Sequence, residues 1–413
     1  MIAAIRSCWA LLIGIALIMV GNGLQGTLLG VRATAEGFGT TTTALVMTGY
    51  FAGFLIGSVV VPRLLKNVGH IRVFAALASL ASGAVLLHSI FVEPMAWGAI
   101  RLVTGFAYSG LYVVAESWLN DAATNQTRGQ LLSIYMVIVL GGMGLGQFLL
   151  NLSDPGGFQL FVLVSVLVSF SLIPISLSVS RAPQFEAPAH IGLRKLYATS
   201  PLGVVGMLGV GVSQGAMFGV GAVYARNAGM GLSDVSLFMA VVLFGGLALQ
   251  WPVGWLSDHF DRRRVLTAVT FLAAAAALVA GLLPIDARFS LFIAMATFGG
   301  MSQPLYSLCI AHTNDYLKPE QIVAASGSLV LVAGVGLSLG PTLTATMMHL
   351  HEISGFFWSL AATHAFIGLF ALWRMTRRNA LPLEDQGEFV AMAPRSSPVA
   401  AGLAQETTRR GGG

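Results

Sequence analysis

The chain has 413 residues, of which 56% are hydrophobic and only 9% charged, and its mean hydropathy is +0.80. A soluble domain carries about 25% charged residues, so this composition excludes an ordinary water-soluble globule and, for the bulk of the chain, intrinsic disorder. The net charge of +5 does not indicate nucleic-acid binding, because the basic residues lie in short clusters between apolar runs.

Twelve stretches are apolar over the length of about 20 residues that a helix needs to cross a bilayer. The first six are predicted at 8–30, 44–65, 73–92, 96–119, 131–152 and 159–180, and the second six at 202–224, 235–256, 265–284, 289–311, 323–348 and 354–374. Strands of a membrane barrel would be shorter and would alternate with polar residues. No signal-peptide cleavage pattern follows the first stretch. The sequence therefore predicts an all-α integral membrane protein.

The basic residues indicate how these helices are oriented. Connections on the side of the termini hold fifteen Lys and Arg residues, and connections on the other side hold three. Positive residues accumulate on the cytoplasmic side of membrane proteins. We therefore expect a multi-pass protein of the bacterial cytoplasmic (inner) membrane, with both termini in the cytoplasm.

The longest connection divides the chain into similar halves. We predict an N-terminal six-helix bundle at 1–180, a cytoplasmic loop at 181–201, a C-terminal six-helix bundle at 202–375 and a disordered cytoplasmic tail at 376–413. Laying 101–150 over 295–344 gives identical pairs that include Asn120 with Asn314 and Asp121 with Asp315. Such a parallel repeat is expected of a two-bundle transporter with its substrate site between the halves.

The fourth predicted helix has one polar stripe, formed by Arg101, Gly105, Tyr108, Tyr112 and Glu116. At 100° per residue these positions share one face. Arg101 and Glu116 are the only charged residues well inside a predicted helix, where exposure to lipid would cost about 2.5–3.5 kcal/mol. Two readings stay open for each: a functional group, or a structural charge that extends toward an interface.

Several amide and phenol side chains in the predicted helices of both halves are able to hydrogen-bond a ligand. The sequence Gly21–Gly26 has the spacing of a dinucleotide-binding loop, but it follows no strand and lies inside a membrane helix, so we discard that interpretation. Each polar residue here could bind a ligand or hold helices together. The substrate-cavity candidates are Asn22, Gln25, Arg101, Tyr108, Gln147, Gln214, Gln250, Gln303 and Tyr306.

After the eighth predicted helix comes a motif with Gly254, Asp258 and Arg262-Arg263-Arg264. It resembles the second-half loop motif of the major facilitator superfamily (MFS). The first-half copy, from Gly57 to Arg72, departs from the family pattern, with Val61 where the family has an acid. An acid at a helix end can pair with the arginines or with a helix dipole. The arginines alone would also serve to orient the membrane helices.

The resemblance implies a fold of 12 transmembrane helices in two pseudo-symmetric six-helix bundles. It also implies that Arg101 faces the cavity and that Glu116, followed by Arg128-Gly129, belongs to a cytoplasmic gate. The gate candidates are Glu116, Arg128, Gly254, Asp258, Arg262 and Arg263. Further resemblance, at 21–38, 116–120 and 250–254, is to the YcaD-like bacterial branch of the superfamily, which implies no substrate.

Glycine pairs occur in the fifth and eleventh predicted helices, at Gly142/Gly146 and Gly336/Gly340. They resemble the antiporter motif of the same family, although Gln147 stands where that motif has Pro. Small residues four apart also allow close helix packing. Antiport and packing therefore both remain open.

We expect a secondary active transporter that moves a small solute by alternating access, and not an enzyme, because no catalytic, nucleotide-binding or metal-ligand pattern is present. The alternative is a membrane receptor or scaffold that has kept the fold and lost transport. The expected partners are a small-molecule substrate and the lipid bilayer, with no cofactor, metal or nucleic acid, and the protein is expected to work as a monomer. Proton coupling is left open, because the first predicted helix contains no Asp or Glu.

Overall fold

The computed structural model describes residues 2–124, 127–177, 191–284 and 286–393, and the regular elements of these residues are all helical. The first half contains α1 to α6, which are Ile2–Ala35, Thr40–Val68, His70–Ile90, Pro94–Ala122, Arg128–Phe148 and Gln159–Phe170. The second half contains α7 to α9, which are Pro201–Asn227, Leu232–His259 and Arg262–Leu282. It continues with α10 in two segments, Arg288–Ser302 and Leu305–Asn314, and ends with α11, Pro319–Leu350, and α12, Gly355–Met375. The twelve-helix prediction is confirmed.

Eleven helices of the described residues are each long and apolar enough to cross a membrane, counting α6 together with the short helix Leu172–Ser176 that continues it. The remaining span is α10, which the sequence predicts as continuous and which is interrupted at Gln303 and Pro304. Proline has no N–H to donate and its ring displaces the preceding turn. Two half-helices therefore replace one long helix at the centre of the second half.

Local sequence sets where several helices begin. Pro94 and Pro201 occupy the first turn of α4 and α7, where the missing N–H costs nothing. The side chains of Glu93 and Ser200 accept hydrogen bonds from the first-turn amides of Ala96 and Gly203. The Glu93 cap fixes the start of α4, and therefore the depth of its polar stripe, and the Ser200 cap fixes the start of α7.

Glycines allow the closest helix contacts within each half. A methyl group added at Gly105 of α4 would meet the carbonyl oxygen of Tyr50 on α2. The glycine pairs behave in the same way: one added at Gly146 would meet the backbone of Val20 on α1, and one at Gly340 would meet that of Val212 on α7. These pairs therefore serve helix packing, one of the two roles left open above.

Contacts between the halves are concentrated at one end of the bundle. We call the end that carries the start of α1 and the end of α12 the terminal face, and the other end the opposite face. Toward the opposite face, Asn151 donates a hydrogen bond to Ser236 at 3.0 Å, and the Thr48 hydroxyl lies 3.3 Å from that of Thr342. A methyl group at Gly30 would lie 3.0 Å from the Cβ of Ala222. The halves therefore meet directly at the opposite face.

The outer surface is that of a protein in lipid. Large apolar side chains such as Trp251, Phe289 and Leu369 are exposed, whereas Arg101 and Glu116 are buried at 3% and 0% exposure. Exposed apolar surface and buried charge are the reverse of a soluble protein. The α4 charges therefore point into the protein.

The connection between the halves and the segment after α12 are more structured than the sequence suggests. Leu193–Thr199 forms a short helix with Leu196 buried, while 178–190 lie outside the described residues. Disorder is predicted from 376 onward, yet residues 386–393 lie against the second half and bury Met392 and Ala393. The physical reason is an apolar stretch from Phe389 to Ala393 in an otherwise polar segment. Residues 394–413 of the predicted tail lie outside the described residues.

Candidate functional site

The polar stripe of α4 faces α1 and α2. The guanidinium carbon of Arg101 lies 4.2 Å from the centre of the Tyr50 ring on α2, a cation–π contact. The ring centre of Tyr108 lies 6.2 Å from that of Tyr50. The Tyr112 hydroxyl donates to the sulfur of Met19 on α1 at 3.0 Å. The stripe predicted from spacing is therefore a packed aromatic surface with one cation on it.

A central pocket of about 20 Å³ lies where α1, α2, α4 and α5 meet the second half. It is lined by Asn22, Gly23, Gly26, Thr27, Tyr50, Phe51, Arg101, Met143 and Gln147 from the first half and by Phe218 and Met239 from the second. A water molecule needs about 10–15 Å³ of such volume. The pocket therefore holds about one water, and a solute could enter only after the halves move apart.

A second pocket of about 10 Å³ adjoins the first, with Met143 and Phe218 in the walls of both. Gln214 and Gln303 line it from the second half, and the Gln214 amide donates to the Gln303 carbonyl oxygen at 2.8 Å. Gln303 stands at the interruption of α10. An irregular turn inside a helix bundle is typical of sites that bind solutes in transporters.

The nine cavity candidates divide into three groups. Asn22, Arg101 and Gln147 line the central pocket, and Gln214 and Gln303 line the second. The other candidates, which line neither pocket, are Gln25, Tyr108, Gln250 and Tyr306. Substrate contact stays a prediction for all nine.

Polar partners distinguish these candidates further. The amide of Gln147 donates to the carbonyl oxygen of Gly23 at 3.0 Å, and its oxygen accepts from Thr27, so this residue joins α5 to α1. Gln250 donates to the Ser307 hydroxyl at 3.1 Å. Gln25 is fully buried, and neither atom of its amide has a partner among the described residues. Since an unpartnered buried amide costs free energy, Gln25 is the candidate whose burial the protein's own contacts explain least.

Glu116 lies at the terminal-face end of the α4 stripe. The Tyr135 hydroxyl on α5 donates to its carboxylate at 3.0 Å. Arg101 is fifteen residues away, about 22 Å along a helix, so the two charges do not pair. Arg128, the predicted neighbour of Glu116, begins α5, but its side chain lies outside the described part of the structure.

The predicted loop motif forms a buried ion pair at the terminal face. The Arg262 guanidinium donates to both carboxylate oxygens of Asp315, at 2.6 and 2.7 Å, and to the Ser257 hydroxyl at 2.9 Å. Asp258, the motif acid, lies farther away at 3.6 Å. The side chains of Arg262 and Asp315 are 1% and 3% exposed. Arg262 is therefore held mainly by an acid outside its own motif.

Two further motif residues take part at this face. Arg263 donates to the Asp261 carboxylate at 3.1 Å and to the carbonyl oxygen of Arg378 at 2.7 Å. Gly254 lies against the ring of Phe389, and a methyl group there would come within 2.5 Å of that ring. The motif thus binds residues that follow α12.

Sequence reasoning did not assign Asp315, Ser307 or Tyr50 to the site. The signal for Asp315 was present, since Asn314-Asp315 repeats Asn120-Asp121. Tyr50 carried no comparable signal, because a tyrosine in an apolar helix is not distinguishable from a packing residue. Within the described residues, no group of three His, Cys, Asp or Glu side chains could hold a metal ion.

Asp261 provides a test of pH dependence, because it lies between α8 and α9. Burial raises the pKa of this carboxyl, but hydrogen bonds from the side chain and backbone of Arg263 outweigh burial and bring the pKa below its usual range. A lowered folded-state pKa stabilises the protein above the unfolded pKa of about 3.9, and this contribution is lost as pH falls through the folded value. We expect the melting temperature of the wild type to approach that of Asp261→Asn as pH is lowered from 7 to 3. A constant difference between the two proteins across this range would contradict the assignment.

Comparisons with known proteins agree with this architecture. A family model described as Major Facilitator Superfamily matches residues 202–404. The chain is 26% identical over 380 residues to the uncharacterized MFS-type transporter YcaD of Escherichia fergusonii, covering 92% of this chain and 98% of that protein. It is 28% identical over 384 residues to the protein of the same description from Salmonella newport, with the same coverage.

Solved structures show the same fold. The nucleoside transporter NupG superposes with a TM-score of 0.71 at 10% identity, over 90% of this chain and 98% of NupG. A bacterial homologue of the human lysosomal transporter Spinster, in an inward-facing and occupied conformation, gives 0.69 at 16% identity, over 91% and 97% of the two chains. The helix arrangement, the second-half motif and the YcaD-like relatives lead to one conclusion: the chain belongs to the major facilitator superfamily of membrane transporters.

Proposed function

We propose that this secondary transporter carries a small anionic or zwitterionic solute through the central pocket by alternating access. The observation that supports the proposal is Arg101, a buried cation in the wall of a pocket that both halves line. Buried charges inside a membrane bundle are costly and mark substrate or ion pathways. The amide of Asn22 adds a neutral hydrogen-bonding group to the same pocket, and the amide of Gln214 adds one to the adjoining pocket.

The proposed cycle uses the interface between the halves. Direct contacts at the opposite face separate while the halves approach at the terminal face, as expected for rocking bundles. We place the terminal face in the cytoplasm, because the excess of Lys and Arg is on that side. Labelling of single cysteines introduced at Arg264 and at Ser354, in sealed inside-out and right-side-out vesicles, tests this orientation. Access from the wrong side at either position would reverse it.

The substrate class is tested in two steps. Metabolites are first screened for thermal stabilisation of the purified protein, since a ligand at 100 times its Kd stabilises by about 2.7 kcal/mol. Uptake of a stabilising ligand is then measured in liposomes, together with substrate-dependent proton flux. Saturable binding without uptake would favour the receptor alternative, and uptake without proton flux would favour uniport. Light scattering of the solubilised protein checks the proposed monomer.

Arg101 is expected to control uptake. Arg101→Ala should reduce the uptake rate by about 100-fold or more, because a charge-assisted hydrogen bond to a buried ligand is worth about 1.5–3 kcal/mol and the cation–π contact is lost as well. Arg101→Lys keeps the charge but lacks the planar guanidinium, so its uptake rate should lie between those of the wild type and Arg101→Ala. Arg194→Ala, at an exposed arginine of the linker helix, is the control and should leave uptake unchanged. Uptake by Arg101→Ala at the control rate would remove Arg101 from the proposed site.

A further inference from the structure

The segment after α12 lies at the terminal face and has no regular secondary structure from residue 387 to residue 393. We call residues 386–393 the strap. Its exposure falls along the chain, from Gly387 and Glu388, which are exposed, to Met392 and Ala393 at 2% and 1%. The strap therefore runs from the surface into the protein.

Side chains of the second half satisfy the strap's backbone. The Gly387 amide donates to Asp315 at 3.1 Å, and its carbonyl oxygen accepts from Arg262. The Phe389 amide donates to Asp258 at 2.7 Å. The partners of the strap's outer backbone groups are therefore the charged residues of the loop motif and its buried acid.

Ser307, on the second segment of α10, is a further side chain that hydrogen-bonds the strap backbone. Its hydroxyl accepts from the Met392 amide at 2.9 Å and lies 3.3 Å from the Met392 carbonyl oxygen. The α10 serine therefore binds the inner end of the strap, five residues beyond the Arg262 contact at Gly387.

Strap side chains belong to buried apolar clusters that contain residues of both halves. Phe389 lies against Gly254, and Met392 belongs to a buried cluster that includes Leu305 of α10 and Leu132 of α5, a first-half helix. Ala393 belongs to a second cluster that includes Leu119 of α4. The strap therefore lies on the second half and is part of the apolar core at the face where the halves would have to approach.

The outer end of the strap is not packed tightly against α10. A cavity of about 210 Å³ lies between the strap and α10, lined by Arg262, Ser307, Asp315, Gly387 and Met392 among others. This volume exceeds that of either central pocket. The outer part of the strap, at Gly387 and Glu388, is therefore not close-packed, and the buried side chains of Met392 and Ala393 hold its inner end.

We propose that the strap is an autoinhibitory peptide that occupies a binding groove on the second half and prevents closure of the terminal face. The inference rests on alternating access, because only closure at this face requires the strap to leave. While bound, it uses Arg262, Asp258 and Asp315, so the loop motif is bonded to the strap instead of to the first half. Release of the strap then permits the rest of the cycle.

The test removes the strap and returns it as a separate peptide. A chain ending at residue 380 is compared with the full chain for binding of a fluorescent peptide of residues 381–393. A tethered segment acts at an effective concentration of about millimolar, so the full chain should bind the peptide at least about tenfold more weakly. A scrambled peptide is the control. Equal binding to both chains, or no binding to the shortened one, would overturn the proposal.

Full-length variants give a second readout that does not depend on truncation. Met392→Asp should release the strap, and Glu388→Gln, whose side chain is exposed, is the matched control. Spin labels on introduced cysteines at Thr124 of the first half and at Tyr197, on the short helix Leu193–Thr199 that packs against α7 and α11 of the second half, report the width of the terminal face. Met392→Asp should add a shorter distance population that the control lacks. An unchanged distribution would contradict the proposal, and since neither readout requires a substrate, its failure is distinguishable from failure of the transport assignment.

Discussion

Substituting Asp315 with alanine should lower the free energy of unfolding by about 3 kcal/mol, because removing one partner of a buried ion pair leaves the other charge uncompensated. In this variant Arg262 retains its 2.9 Å hydrogen bond to the Ser257 hydroxyl. The nearest remaining carboxylate, that of Asp258, is 3.6 Å from the guanidinium and one-third exposed. Unfolding midpoints in detergent, by heat and by denaturant, measure the change. Asp315→Asn retains hydrogen-bonding atoms without the charge and should fall between wild type and Asp315→Ala.

The matched control is Arg264→Ala, at a neighbouring arginine that is 78% exposed and 3.9 Å from Asp261. Exposed pairs contribute about 0–1 kcal/mol, so this variant should change little. The double variant Arg262→Met with Asp315→Leu replaces the pair by apolar groups and should recover much of the loss. If Asp315→Ala is no less stable than Arg264→Ala, the buried pair does not carry the stability assigned to it.

Substituting Gly105 with alanine should destabilise the protein by about 1–3 kcal/mol, the usual cost of overpacking. The added methyl group would meet the carbonyl oxygen of Tyr50, and only a displacement of α2 relative to α4 could relieve this contact. The displacement would also move Tyr50 relative to Arg101. Uptake should therefore fall together with the melting temperature.

Gly98 provides the control on the same helix. A methyl group there meets nothing within 4 Å, so Gly98→Ala should be neutral or slightly stabilising, since alanine is the better helix former. The same glycine-to-alanine substitution should thus lower the free energy of unfolding at Gly105 and leave it unchanged or raise it slightly at Gly98. Equal effects would show that backbone freedom, and not the contact with α2, decides the outcome.

The sequence predicted the twelve spans because the apolar length needed to cross a bilayer is a local property. Most helix ends fall within a few residues of the prediction, and extensions such as Ile2–Ala35 add polar turns that hydropathy does not detect. The interruption of α10 was not predicted, although Pro304 was visible. A proline in a membrane helix can kink it or break it, and neighbouring helices decide which.

The site was predicted less completely than the fold. The motif drew attention to Arg262, whose role in a gate stays a prediction, but the strongest partner of Arg262 is 53 positions away and could not be chosen from spacing. The sequence predicts disorder for the strap because the strap belongs to a tail, 376–413, whose average composition is polar. Its five apolar residues, Phe389 to Ala393, are too few to change the average of that tail, yet they suffice to bury Met392.

The glycine contacts between α1 and α5 and between α7 and α11 restrict how the protein can move. Added methyl groups at Gly23, Gly146, Gly215 or Gly340 would each meet backbone of the partner helix, so neither pair can slide by a residue without side chains colliding at these points. Each pair must travel as one rigid body. The sliding surfaces are then those between α5 and α8 and between α2 and α11, where side chains such as Phe148 and Phe244 meet. A covalent staple within a glycine pair should leave the cycle intact, and one across either sliding surface should arrest it.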